Sequence, residues 1–167
     1  MVRKILVSLF LVSIMVFGFA SVSSAANWKW ITSTDNATIY FDTTSIKDKS
    51  TNKSDPNYSN LVYSVWVKWV YTDSEADNLA KKLNFTKPVA YSLYETDVDY
   101  KNKGMLVKSI YYYDNEGKSL WGGPLYSTEF KSIIPDSVGE VIYNTTLKEF
   151  NAQYGGQSSK TWKDYLK

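Results

Sequence analysis

Residues 61–71 read Leu-Val-Tyr-Ser-Val-Trp-Val-Lys-Trp-Val-Tyr, and this stretch decides the fold class. Successive side chains in a strand point to opposite faces, so parity sorts the stretch in two. The odd positions Leu61, Tyr63, Val65, Val67, Trp69 and Tyr71 make a continuous apolar face. The even positions Val62, Ser64, Trp66, Lys68 and Val70 are mixed. The odd face is expected to look into the core.

Upstream, Asn27 to Thr32 reads as a strand with Trp28 and Trp30 on one face and Lys29 on the other. Asp35-Asn36 supplies a turn into a second strand, Ala37 to Phe41, which predicts a hairpin. Asp42 to Ile46 breaks that strand with residues that bond their own backbone, predicting a single helical turn. The polar stretch Lys47 to Asn60, centred on Asp55-Pro56-Asn57, reads as a loop. Downstream the period changes. Ala76, Leu79, Ala80 and Leu83 fall at helical spacing within Asp73 to Leu83, with Asp73 as the cap and an end before Pro88.

Val89 to Tyr100 and Met105 to Tyr113 then read as strands joined by Lys101-Asn102-Lys103-Gly104. Asp114-Asn115-Glu116-Gly117 makes another turn. Ser119 to Phe130 reads as a strand broken at Gly122-Gly123-Pro124. Pro135 to Phe150 is the second helix, opened by a Ser137 and Glu140 capping box and carrying Val138, Val141, Ile142 and Thr145 as its apolar stripe. Gly155-Gly156 ends it. The sum is an α+β domain: a mostly antiparallel sheet of about five to six strands with two packed helices.

The N-terminal residues describe export. Arg3 and Lys4 precede an apolar run from Ile5 to Ala20, and Ser23-Ser24-Ala25-Ala26 offers small residues for a signal peptidase. The run is shorter than the ~20 apolar residues that span a bilayer. Cleavage is expected after Ala25 or Ala26, and the division expected is a signal peptide over 1–25, one α+β domain over 26–156 and a polar tail over 157–167. No cysteine is present to carry a lipid anchor. The mature part is expected to be periplasmic, cell-surface or secreted, with no membrane span after the leader is removed.

Of 19 Lys and Arg residues two lie in the leader, leaving 17 to face 17 Asp and Glu. A neutral domain has no long-range field for steering onto nucleic acid, so that partner class is not expected. Cysteine and histidine are both absent. Thiol nucleophiles, Ser-His-Asp arrangements and ordinary zinc or copper sites are thereby removed, and neither a cofactor nor a metal is expected. The chain carries 14 Tyr and 6 Trp instead, residues that combine a large apolar body with a polar handle.

Two constellations stand out. Glu95, Asp97 and Asp99 alternate along one strand and share a face, as a pair of catalytic carboxylates or an oxygen-rich calcium site would require. The reading preferred here is a solvated strand end balanced by Lys101, Lys103 and Lys108. The second constellation is Trp66 with Lys68 on the mixed face of 61–71, and Lys108 with Tyr112 sharing one parity of another strand. If those faces coincide, Trp66, Lys68, Lys108 and Tyr112 form an aromatic and basic patch fit for a protein or glycan surface. If a helix covers Trp66, only the lysines reach water.

Several segments in order resemble the surface-adhesin protein E family: Trp30-Ile31, Ile39-Tyr40-Phe41-Asp42 with Ser45-Ile46, Val65-Trp66-Val67-Lys68, Tyr91-Ser92-Leu93-Tyr94-Glu95, Ile110-Tyr111-Tyr112-Tyr113-Asp114 with Gly117, and Pro135-Asp136-Ser137. The resemblance runs from about Trp28 to Phe150. It implies a bacterial envelope or secreted domain built on a sheet with packed helices, and an adhesin's role toward host matrix and serum proteins. Family members often carry a cysteine near the position of Tyr100 and another in the last helix, and some carry a lipid anchor; this chain has none of these. The function expected is an exported, non-catalytic binding module for a host or matrix protein. The alternative is an envelope structural or stress-related protein bound to another envelope component.

Overall fold

The computed structural model describes residues 25–50 and 61–155. The leader up to Ser24, the Asp55-Pro56-Asn57 loop centre and the tail from Gln157 lie outside them. Strands β1 (Trp28–Ser33), β2 (Ala37–Asp42), β4 (Val62–Tyr71), β5 (Tyr91–Asp99), β6 (Gly104–Tyr113) and β7 (Ser119–Pro124) pair antiparallel in the order β1-β2-β4-β5-β6-β7. Two short strands, β3 (Lys47–Asp48) and β8 (Lys131–Ser132), pair with β4 and β6. Helix α1 (Asp73–Leu83) follows β4, and α2 (Val138–Tyr154) is the last element among the described residues. The class is α+β as expected, but among the described residues the sheet has eight strands rather than five to six.

The two extra strands have local causes. Asp42 caps a 3-10 turn over Thr43–Ser45, which lifts the chain off the β4 edge after Phe41 pairs with Val67. The Ser45 hydroxyl meanwhile accepts the otherwise unpaired Trp66 N–H at 2.9 Å. The chain then returns to the same edge and pairs Lys47 with Ser64, so the stretch read as a loop begins with a strand. At the far side, β7 runs through Gly122 and Gly123, so the expected break falls at Pro124 alone. The strand ends at that proline, and Lys131 resumes pairing on Met105.

The parity of β4 holds. Tyr63, Val65 and Val67 are at most 2% exposed and meet Ile39, Phe41 and Val98 in one core cluster. Helix α2 covers this side with Ile142, Tyr143, Thr146 and Phe150, its buried residues. That stripe is rotated from the one expected: Val141 is exposed and Tyr143 is inside. The rotation follows from bulk, because turning Tyr143 inward lets its hydroxyl donate to the Tyr100 carbonyl at 3.0 Å. Phe85, just past α1, packs on Tyr112 of the same sheet face.

Caps shift by one residue as well. Thr72, not Asp73, caps α1, and Asp73 sits in the first turn where its charge favours the helix dipole. The α1 C-cap is Asn84 in the left-handed region, four residues before Pro88. At α2 the Glu140 N–H donates to Ser137 Oγ at 3.2 Å, but the Glu140 carboxylate accepts from the N–H of Asp136, one residue outside the expected box.

Candidate functional site

The even face of β4 is built from the same ladder. Residues directly opposite share a face, so Trp66 stands beside Glu95, and Lys68 stands between Tyr40 of β2 and Leu93 of β5. Trp30 lies opposite Tyr40, and Tyr91 opposite Tyr113. The ring and cation contacts of this face run from strand to strand. Lys68 Nζ sits 4.3 Å from the Tyr91 ring centroid and 5.5 Å from that of Trp28. Tyr91 in turn stacks on Tyr113 at 4.7 Å with only 8° between the rings. Trp66 meets Tyr111 at 6.0 Å, and Trp30 is 59% exposed.

Electrostatically, Lys68 is held rather than neutralised. An ammonium over aromatic faces gains about 0.5–1 kcal/mol at exposed sites and more when desolvated, while keeping its charge. Among the described residues no carboxylate lies within ion-pairing distance of Lys68. The side chain leans toward Tyr91 rather than toward the other diagonal neighbour, Glu95, which accepts from Ser109 Oγ at 3.0 Å.

The four patch residues separate into three groups. Trp66 and Lys68 share the face as expected. Tyr112 does not: it pairs with Ser92 and Trp121 on the opposite, helix-bearing side and packs on Phe85. Burial and the neighbouring Tyr94 push its phenol up to about 12. The cause of the separation is a bulge. Glu95 pairs with Ser109 and Thr96 with Val107, so Lys108 is an extra residue that inverts parity between Tyr112 and the start of β6. Lys108 therefore belongs to neither alternation, and its carbonyl accepts from the Leu125 N–H at 2.7 Å.

Glu95, Asp97 and Asp99 do share the Trp66 face, with Trp66, Ser64 and Val62 as their cross-strand partners. They are not a solvated end. Asp97 and Asp99 are 9% and 5% exposed. Asp97 pairs with Lys49 at 2.7 Å, and Asp99 accepts from Lys101 N, Asn102 N and Asn102 Nδ2, closing the β5–β6 turn. Each carboxylate has a structural partner, and Lys103 and Lys108 are not among those partners. Asp114, by contrast, is held below the ordinary carboxylate range, chiefly by its hydrogen bond from Lys87 at 2.8 Å. Among the described residues no group of three or more His, Cys, Asp or Glu is arranged to hold a metal ion, and no helix is long and apolar enough to cross a membrane.

Trp28, Trp30, Tyr40, Tyr91, Tyr111 and Tyr113 complete the face. The placing of Trp28 and Trp30 on one side of their strand was visible in sequence; the assembly of these six rings on one face was not. A further member is a missing side chain. Gly122 lies opposite Tyr111, and a Cβ built there would run into the Tyr111 ring. Gly122→Ala is expected to cost about 1–3 kcal/mol by displacing that ring, and to alter tryptophan emission because Tyr111 abuts Trp66. An unchanged unfolding midpoint together with unchanged emission would show that the ring swings aside freely.

No family model, curated protein or solved structure compared with this chain matches it.

Proposed function

We propose that this chain is an exported, non-catalytic binding module that takes a protein ligand on the strand face around Trp66 and Lys68. The observation that carries this reading is the clasped lysine. A cation positioned by Trp28 and Tyr91, with no carboxylate partner among the described residues, is available to a partner at low conformational cost. Rings flank it on several strands, and aromatic anchors beside a positioned charge are what protein-binding surfaces concentrate. The partnered state of Glu95, Asp97 and Asp99 supports a structural role for them over acid–base work. The resemblance to the surface-adhesin protein E family supports an adhesin-like role toward host or matrix proteins.

The test is capture by the purified mature chain from host matrix proteins and from bacterial envelope extract, side by side. Lys68→Ala and Trp66→Ala are each expected to weaken capture about tenfold or more, the equivalent of about 1.4 kcal/mol. Lys81→Ala, on the exposed side of α1, is expected to leave it unchanged. Capture no better than that of an unrelated neutral domain sinks the reading. So does capture that ignores both face variants. Capture of an envelope component alone, through the same face, assigns the module to its own cell envelope instead of a host.

A further inference from the structure

We infer that processing cuts between Ala26 and Asn27, and that the α-ammonium so exposed becomes the counter-ion of Asp42. The inference rests on the export reading and on geometry at the start of β1. Asp42 is 8% exposed. Its Oδ1 accepts from Asn27 N at 3.0 Å, Thr44 N at 2.9 Å and Thr44 Oγ1 at 2.7 Å. All three donors are neutral in the uncut chain, and among the described residues no lysine or arginine is ion-paired with Asp42. The three donors satisfy the carboxylate oxygen but bring no opposite charge, and a cationic donor adds direct charge attraction to the hydrogen bond.

Asn27 is already fixed in place. Its carbonyl accepts from Thr43 N at 3.0 Å and Thr43 Oγ1 at 3.4 Å, and the next residue, Trp28, pairs with Asp42 itself. Ala25 and Ala26 are exposed and make no hydrogen bond recorded among the described residues. The ordered ladder therefore starts at Asn27. Small residues stand at both positions that a peptidase reads for either cut, Ser24 with Ala26 or Ser23 with Ala25, so sequence does not choose between them. The structure does. A cut after Ala25 leaves Asn27 N a neutral amide; a cut after Ala26 places the new amine against the carboxylate.

The step is hydrolysis by a signal peptidase. Water adds across the Ala26–Asn27 bond, leaving a carboxylate on Ala26 and an amine on Asn27. An α-amino group ordinarily titrates at about 7.7–8.0 and so carries a proton at neutral pH. Cleavage thus turns an amide-to-carboxylate hydrogen bond into an ion pair that ties the free end to the β2 corner.

The experiment expresses the full precursor in an exporting bacterium and weighs the intact mature chain. A mass beginning at Asn27 is expected; a mature chain beginning elsewhere overturns the inference while leaving export standing. Recovery of uncut precursor alone overturns both. The charge pairing is tested on the mature chain by N-terminal acetylation, which keeps the donor and removes the charge. Acetylation is expected to lower Tm by about 3–5 °C in the wild type, a shift on the scale of one such interaction in a domain this size. In Asp42→Asn, which keeps the accepting oxygen, it is expected to lower Tm by less than about 1 °C. Equal shifts in the two chains overturn the pairing.

Discussion

Phe150→Ala is expected to remove about 3–5 kcal/mol of stability, the range for deleting a buried phenyl ring. Phe150 is 5% exposed and stands at the centre of an aromatic stack. Its ring lies 4.6 Å from Tyr63 at 13°, 5.4 Å from Tyr100 and 5.1 Å from Tyr154. Tyr63 comes from the central strand, Tyr100 from the β5–β6 corner and Tyr154 from the last turn of α2. Losing the shared ring therefore loosens the helix from the sheet at several places. Because domains of this size are stable by only about 5–15 kcal/mol, the variant should unfold at a much lower urea midpoint. The urea transition followed by circular dichroism checks it. A loss below about 1 kcal/mol would mean that the neighbouring rings close the cavity and that α2 is held chiefly by hydrogen bonds.

What sequence could and could not reveal follows from range. Parity along β4 depends only on the identities of neighbouring residues, so the buried face of Tyr63, Val65 and Val67 was legible without any partner strand. The helix periods and the hairpin turns are local in the same sense. The face of Tyr112 was not legible, because it depends on one extra residue at Lys108, and a bulge leaves no mark in a run of alternating side chains. Likewise the partner of Asp97 is Lys49, 48 positions away, brought near only because β3 returns to the β4 edge. The lysines close in sequence were the natural candidates and the wrong ones. The rings that clasp Lys68 come from the first and fifth strands, which no spacing rule connects to residue 68. Trp66 and Lys68 could be proposed because both lie within one strand; the platform around them exists only in the register.

Stability is expected to be level from about pH 5 to about pH 7.5. It is expected to lose the pairing of the Asn27 amine with Asp42 as pH rises above about 8, and to fall steeply above about pH 10. No histidine titrates in the neutral range, and the perturbed side-chain acids and bases lie outside it. The alkaline limb rests chiefly on three phenols, while burial also raises Tyr91 and Tyr143. Burial raises Tyr63 well above its ordinary value of 10, and the neighbouring Tyr143 acts in the same direction. Thr146 directs its own proton to the Ile142 carbonyl at 2.8 Å, so Tyr63 is the donor in their 2.8 Å contact and must stay protonated to keep it. Burial likewise raises Tyr71, aided by the neighbouring Tyr94, although Ser92 at 2.6 Å pulls the other way. Tyr112 is pushed up to about 12.

Each of these phenols keeps its proton in the folded chain after the unfolded chain has lost it. Their contribution is whole below pH 10 and declines as pH rises through the window up to the folded values. For Tyr63, which is fully buried, the decline is about 1.4 kcal/mol per pH unit. Urea midpoints at stepped pH, read with tyrosinate absorbance, check the course. Tyr63→Phe supplies the decisive comparison. It loses the hydrogen bond to Thr146 and should be less stable than the wild type at pH 7. It also removes one phenol that must ionise, so its midpoint should fall less steeply above pH 10 and the two curves should converge. Parallel curves would mean that the Tyr63 hydroxyl does not govern the alkaline limit and that the load falls on the Tyr71 and Tyr112 cluster.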